Sequence, residues 1–331
     1  MSIGTEEFYN ADVHFSITVT SKCNLKCSYC HFYDGRRGYN DEISQDLFER
    51  YVKFIKWIKR NSNIHYRFSG GEPLAMGDRV FDLARNATNC LKESPYIMTN
   101  GLLLNEDVIE KSRNIVKAYV LSMENPFDID KGSINPETNT RKIKKFTTNE
   151  LPLIPGAVII RNSQFKNLFE IANYFYEEIG CIPAFTELSY GAYETPSDSE
   201  VDELYTGVRR IVEKYKGKTR LRMFPYIIPE YLVSDLHKAE YITELDYENK
   251  YDILNRNFDQ VFDDVLNIMG SSYVDYSCQN EQCEWYSCCK KIKWVWQHPN
   301  KNVTRAQKIK DYCTLKKAIS NAYYDGISIE E

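Results

Sequence analysis

Cys23, Cys27 and Cys30 stand with three and then two residues between them, inside one short stretch. Three thiolates on one loop can take three corners of a cubane iron–sulfur cluster and leave the fourth iron open to a cofactor or substrate. Zinc is the competing reading: a structural zinc wants four ligands, and the adjacent His31 could be the fourth. A second group, Cys278, Cys283, Cys288, Cys289 and Cys313, lies near the C-terminus. Eight of the ten cysteines fall in these two groups, which argues for metal ligation over scattered packing roles. Cys90 and Cys181 lie in or just beyond helical patterns and read as core residues.

The elements that must carry these loops alternate strand and helix patterns. Val13 to Val19 alternates Phe15, Ile17 and Val19 with Ser16 and Thr18, the period of a strand. Leu47, Tyr51, Phe54, Ile55 and Ile58 follow at helical spacing, with Ser44 placed as N-cap. Ile64 to Phe68 predicts a second strand, closed by Ser69-Gly70-Gly71-Glu72-Pro73, and Val80, Leu83, Ala84, Ala87 and Leu91 predict a second helix. Further strands are expected at Tyr96 to Thr99, Ala118 to Met123, Ala157 to Ile160 and Ala184 to Leu188. Between and after them come a short helix from Glu106 to Arg113, a helix through Leu168 and Ile179 stopped by Gly180, and one opened by the Ser197/Glu200 capping box.

Strand–helix units in series imply a parallel sheet with right-handed crossovers. The expected fold is α/β, a partial (β/α)6 TIM-like barrel over residues 1–230 with a small cysteine-rich unit over 231–331. In such barrels the chemistry gathers at the C-terminal ends of the strands. The cysteine triad, the Gly-Gly-Glu-Pro run and Thr99-Asn100-Gly101 all follow strands, so they should share one rim. Beyond about residue 230 the alternation is lost.

Composition excludes other classes. A net charge of −5 offers no basic field for nucleic acid. The run Arg141-Lys142-Ile143-Lys144-Lys145 reads as a solvated helix face. No basic start precedes an apolar run, and the longest apolar-rich stretch, residues 151–160, falls short of the ~20 residues of a membrane span. A cytoplasmic protein with no membrane partner is expected, and its cysteines are then not disulfides.

The loop Cys23-Asn24-Leu25-Lys26-Cys27-Ser28-Tyr29-Cys30 resembles the signature of the radical S-adenosylmethionine (SAM) superfamily, with the aromatic residue before the last cysteine. Ser69-Gly70-Gly71-Glu72-Pro73 resembles that family's second hallmark. The resemblance implies a 4Fe–4S cluster on Cys23, Cys27 and Cys30, with SAM on the open iron. It implies that Gly70 and Gly71, with Glu72, meet the SAM amino group, that Pro73 belongs to the same cofactor-binding run, and that Tyr29 lies near the adenine. Asn100 and Ser122 resemble the strand-end residues that touch ribose and methionine; as bare residues they are equally a turn former and a strand-end hydroxyl. The implied chemistry is reductive cleavage of SAM to a 5′-deoxyadenosyl radical, which abstracts hydrogen from a substrate.

The C-terminal group resembles the SPASM or Twitch auxiliary-cluster domain through Cys283-Glu284-Trp285-Tyr286-Ser287-Cys288 and Asp311-Tyr312-Cys313. Four residues separate Cys278 from Cys283 where two are usual, and Cys288-Cys289 are adjacent; a structural zinc knot is the alternative. Two four-cysteine auxiliary clusters beside the triad would need 11 cysteines, and the chain has 10, so one auxiliary 4Fe–4S cluster is expected. Its expected ligands are Cys278, Cys283, Cys288 and Cys313, with Cys289 able to replace Cys288.

What the resemblance implies about function is a peptide maturase that oxidises, crosslinks or epimerises a side chain, supplied by a flavodoxin- or ferredoxin-like electron donor. A small-molecule dehydrogenase or cyclase is the alternative, and a non-catalytic SAM-binding iron–sulfur protein a third. No acid, base or radical relay can be chosen: Glu187 falls at the rim but reads more readily as a strand-end carboxylate paired to a neighbour, and Tyr190 and Tyr193 read equally as surface or core residues.

Overall fold

In the computed structural model, the described residues are 12–30, 41–59, 63–130, 132–187, 195–219, 221, 240–245, 249, 251–272 and 305–327. Among the described residues seven strands form one sheet in the order β6-β5-β4-β3-β2-β1-β7, with each neighbouring pair parallel. They are β1 (Asp12–Thr20), β2 (Asn63–Gly70), β3 (Tyr96–Thr99), β4 (Ala118–Met123), β5 (Leu153–Ile160), β6 (Phe185–Glu187) and β7 (Glu240–Leu245). Eight helices among the described residues are α1 (Gln45–Ile58), α2 (Asp78–Leu91), α3 (Glu106–Ser112), α4 (Pro136–Phe146), α5 (Leu168–Ile179), α6 (Asp198–Tyr215), α7 (Phe258–Ser272) and α8 (Arg305–Ile327). The result is the expected partial barrel, with all strand C-terminal ends on one rim.

The alternation seen in β1 explains how the layers meet. Val13, Phe15, Ile17 and Val19 are fully buried. Phe15 meets Phe54 of α1 edge to face at 6.2 Å, so this face of the sheet carries the helices. The opposite face of β1 carries Ser16, Thr18 and Thr20, the polar inner wall of the barrel. There Ser16 and Ser69 hydroxyls lie 2.8 Å apart.

Helix ends follow their sequence signals. Ser44 Oγ accepts from the Leu47 amide at 3.3 Å. Gly180 caps α5 in the left-handed region, at φ 71°. Ser197 and Glu200 form the capping box of α6.

Two features differ from expectation. Strand β5 begins at Leu153, ahead of Ala157, because Tyr119 and Leu121 of β4 pair with Leu153 and Pro155. More consequentially, the alternation does not end at residue 230. Glu240–Leu245 forms β7 and pairs in parallel with β1, from Asp12↔Glu240 to Ile17↔Leu245. One isolated strand without a sequence-adjacent partner leaves little periodicity to read. The division drawn at residue 230 falls outside the described residues.

Of the later helices, α8 packs on α6. Gly326 is needed at their contact: a Cβ there would sit 2.9 Å from the Cβ of Val212. Asp311, buried in α8, accepts from the Thr195 hydroxyl at 2.9 Å. Among the described residues no helix is long and apolar enough to cross a membrane.

Candidate active site at the strand ends

The loop after β1 carries Cys23, exposed, and Cys27 and Cys30, half-buried, none of them in a disulfide. The turn closes with the Cys30 amide donating to the Cys27 carbonyl at 3.1 Å. Burial pushes the Cys23 and Cys27 thiols above their ordinary range; the charges of Glu72 and Cys30 add to this at Cys23, and that of Glu124 at Cys27. Unligated, the Cys23 and Cys27 thiols hold their protons, and loading metal would release them. Among the described residues no three His, Cys, Asp or Glu side chains converge on a single ion. A cubane distributes its cysteines over separate irons, so a spread triad on one loop fits it. His31 lies outside the described residues.

The Gly-Gly-Glu turn after β2 is pressed against this loop. The Gly71 amide donates to the Thr20 carbonyl at 2.8 Å and the Glu72 amide to the Lys22 carbonyl at 2.7 Å. A Cβ on Gly70, whose φ is 129°, would lie 2.1 Å from the Thr20 oxygen, and one on Gly71 would lie 2.3 Å from the Lys22 oxygen. The glycines therefore permit close approach between two backbones, and the turn fixes where the cysteine loop departs from β1.

Glu72 is fully buried, and burial pushes its carboxyl upward. Its Oε1 accepts from the Leu74 amide at 3.0 Å and the Thr99 hydroxyl at 2.8 Å, and its Oε2 from the Asn100 amide at 2.6 Å. The sequence reading places this side chain beside the SAM amino group; in the structure its carboxylate ties β2's end to β3's end. Pro73 is buried at the start of the 3-10 turn Pro73–Met76.

Asn100 extends the tie to the cysteine loop. Its Nδ2 donates to Asn24 Oδ1 at 2.7 Å and lies 3.9 Å from Cys23 Sγ. Asn139, fully buried on α4, donates to the carbonyls of both Asn100 at 3.1 Å and Ser122 at 2.6 Å. Lys142, one helical turn further, donates to the carbonyls of Gly101 and Leu102. Neither residue was singled out from sequence for the site. The basic run read as a solvated face does carry surface ion pairs, Lys144–Glu178 at 2.6 Å and Lys145–Glu106 at 2.5 Å, but Lys142 turns to the rim. Ser122 itself is exposed on β4, next to a register irregularity between Leu121 and Met123.

The loop after β4 closes the other side. Tyr29 donates its hydroxyl to buried Glu124, which also accepts from Ser133. Burial, then the Glu124 charge, push the Tyr29 hydroxyl far up, and burial also raises Glu124. Asp130 accepts from the Ser28 amide at 2.8 Å and from Arg161 at 2.9 Å. Gly132, at φ 85°, accepts at its carbonyl from the Lys26 amide at 3.2 Å. Glu124, Asp130 and Gly132 were also missed. Only their position after a strand end could have flagged them.

Glu187 ends β6, but its side chain and Tyr190 and Tyr193 lie outside the described residues. So do Cys278, Cys283, Cys288 and Cys289. Cys313 is half-buried on α8, and Cys90 packs partly buried against the core.

The three cysteines on the first strand's loop are backed by a Gly-Gly-Glu turn at the rim of an open parallel barrel. Residues 17–155 match the family model of the radical SAM superfamily. A GTP 3′,8-cyclase of Clostridium perfringens is 32% identical over 34% of this chain, a match spanning only about a third (34%) of the relative's length. A probable GTP 3′,8-cyclase of Methanococcus aeolicus is 25% identical over 73% of this chain and 80% of its own. The structure of native anSMEcpe with bound AdoMet aligns over 96% of this chain and 100% of that one, with a TM-score of 0.69 and 16% identity. Streptococcus suis SuiB bound to S-adenosylmethionine aligns over 86% of this chain and 72% of that one, with a TM-score of 0.57 and 15% identity.

Proposed function

We propose that this chain is a SAM-cleaving enzyme that abstracts hydrogen from a peptide side chain. Cys23, Cys27 and Cys30 would hold a 4Fe–4S cluster, which supplies the electron that splits bound SAM into methionine and a 5′-deoxyadenosyl radical. The protein's part is to orient and exclude. Gly70 and Gly71 set the departure of the cysteine loop, Glu72 and Asn139 lock the β2, β3 and β4 ends together, and Glu124 and Asp130 hold Tyr29 and Ser28. Ser122 and Pro73 belong to the same rim and are proposed as SAM contacts, with Tyr29 beside the adenine.

The peptide reading rests on one observation: large apolar side chains stand exposed on the two rim loops that touch the cysteine loop. Leu102 and Leu103 follow Asn100, at 41% and 37% exposure, and Phe127 and Ile129 follow Glu124, at 57% and 43%. They offer apolar contact to an extended chain crossing the rim. Support comes from neighbours that carry peptides: anSMEcpe with the Cp18Cys peptide, and SuiB with its precursor peptide SuiA. A small-molecule cyclase is the second reading, favoured by the GTP 3′,8-cyclase relatives. We place one auxiliary cluster on Cys278, Cys283, Cys288 or Cys289, and Cys313, in a unit following residue 230. A flavodoxin- or ferredoxin-like donor in a reducing cytoplasm completes the proposal.

The test is anaerobic reconstitution followed by reduction with SAM. About eight irons are expected, four per cluster, with release of 5′-deoxyadenosine. Replacing the three cysteines of the triad with Ala should remove half the iron and all SAM cleavage. Stoichiometric zinc with negligible iron refutes the cluster reading. Side-chain-deuterated Cp18Cys and SuiA peptides, and GTP, then separate the substrates: deuterium carried into 5′-deoxyadenosine supports the peptide reading, and a cyclised nucleotide overturns it.

A further inference from the structure

The Asn100 side chain sits where a hydrogen bond can reach a cluster ligand, and every other valence of its amide is accounted for. Its Oδ1 accepts from the Leu102 amide at 3.0 Å. That bond fixes which end of the amide is which, so the nitrogen is the end facing the cysteine loop. One Nδ2 hydrogen goes to Asn24 Oδ1 at 2.7 Å, and the other is directed at Cys23 Sγ, 3.9 Å away. The sulfur already receives the Leu25 amide at 3.4 Å.

The backbone beneath Asn100 is held from three sides. Glu72 binds its amide, Asn139 binds its carbonyl, and Lys142 binds the next two carbonyls. Gly101, at φ 80°, is required for this: a Cβ there would lie 2.2 Å from Asn139 Oδ1. Asn100 is itself only 7% exposed. The amide therefore cannot swing away from the sulfur without breaking bonds in a buried network.

Hydrogen bonds to cluster sulfurs, with burial and net charge, set iron–sulfur reduction potentials. A donor at a thiolate stabilises the state with more negative charge, which is the reduced cluster. We propose that Asn100 tunes the cluster on Cys23, Cys27 and Cys30, making it easier to reduce, and that Asn139 is the positioning residue that aims it. This rests on the cluster reading above, but assigns Asn100 to the sulfur in addition to any contact with SAM.

The experiment uses the full chain with its clusters, titrated anaerobically and followed by electron paramagnetic resonance, without SAM. The relevant signal is the one lost when Cys23, Cys27 and Cys30 become Ala. In Asn100→Leu that signal should persist but shift to lower potential: at a fixed poise the reduced-to-oxidised ratio falls about tenfold, which is 59 mV for one electron. Asn100→Gln, which keeps an amide donor, should recover part of the shift. An unchanged potential with full cluster content overturns the proposal. Should Asn100→Leu fail to fold, Asn24→Asp protein carrying asparagine 15N-labelled at the side-chain amide gives the answer. It keeps the acceptor at position 24 but removes the competing label, so pulsed resonance of the reduced cluster should detect a nitrogen coupling, and none overturns the assignment. Absence of the triad signal from unaltered protein refutes the cluster reading instead.

Discussion

Replacing Gly71 with Ala adds one methyl group where two backbones touch. The new Cβ would lie 2.3 Å from the Lys22 oxygen and 2.6 Å from the Ser21 oxygen, both main-chain atoms that cannot rotate aside. Close carbon–oxygen contacts run to about 3.3 Å, so the loop and the turn must separate by about 1 Å. That separation strains the Gly71–Thr20 and Glu72–Lys22 hydrogen bonds, now 2.8 and 2.7 Å. Overpacking costs about 1–3 kcal/mol, and two weakened hydrogen bonds about 1 kcal/mol each, giving about 3–5 kcal/mol in all. The displaced segment is the one that carries Cys23, so the expected result is a lower melting temperature together with poor iron retention by the triad. Thermal melting and iron analysis of the anaerobically reconstituted variant measure both. Wild-type melting with full iron would refute the claim that this turn places the cysteine loop.

Three further outcomes follow from the same network. Glu72→Gln turns an acceptor into a donor opposite the Asn100 or Leu74 amide and should cost about 2–3 kcal/mol in denaturant unfolding, the range for a buried bond to a charged group. Asn139→Ala should lower stability, by leaving the Asn100 and Ser122 carbonyls without their donor, and an unchanged unfolding midpoint would contradict its bridging role. Burial acts to raise the Glu93 carboxyl, but the bonds from His65 and Lys59 and the Lys117 charge outweigh it and bring it from 4.5 to about 2. A depressed folded-state value means stability present above 4.5 and lost as pH falls toward 2, so Glu93→Gln should flatten the acid limb of a stability–pH curve over that window.

How much of this is legible in the sequence depends on whether a residue acts through pattern or through contact. Strand β1 and helix α1 announce themselves because Phe15 and Ile17 alternate and Leu47, Tyr51 and Ile55 recur at helical spacing. The cysteine triad is legible as a candidate metal site, although its spacing alone leaves zinc and iron–sulfur both open. Glu72 is legible as part of a motif but not in its job, since nothing in the sequence says that its carboxylate faces β3 rather than the open rim. Asn139 and Lys142 are hidden inside a polar, charged helix, where neither periodicity nor composition marks the two side chains that turn inward. Strand β7 is hidden because its partner, β1, lies more than two hundred residues away.

That last pairing has a bearing on the order of assembly. The strand from which the cysteine loop hangs, β1, has β2 on one side and β7 on the other. Its first neighbour is complete at Gly70 and its second only at Leu245. At the ribosome's pace of about 5–20 residues per second, the 175 residues between them take about 9–35 s to make. Throughout that interval one edge of β1 is an open template for stray pairing. On the proposed cluster reading, iron delivered early would meet a loop anchored to a half-clad strand, and cluster insertion is expected to follow translation past residue 245.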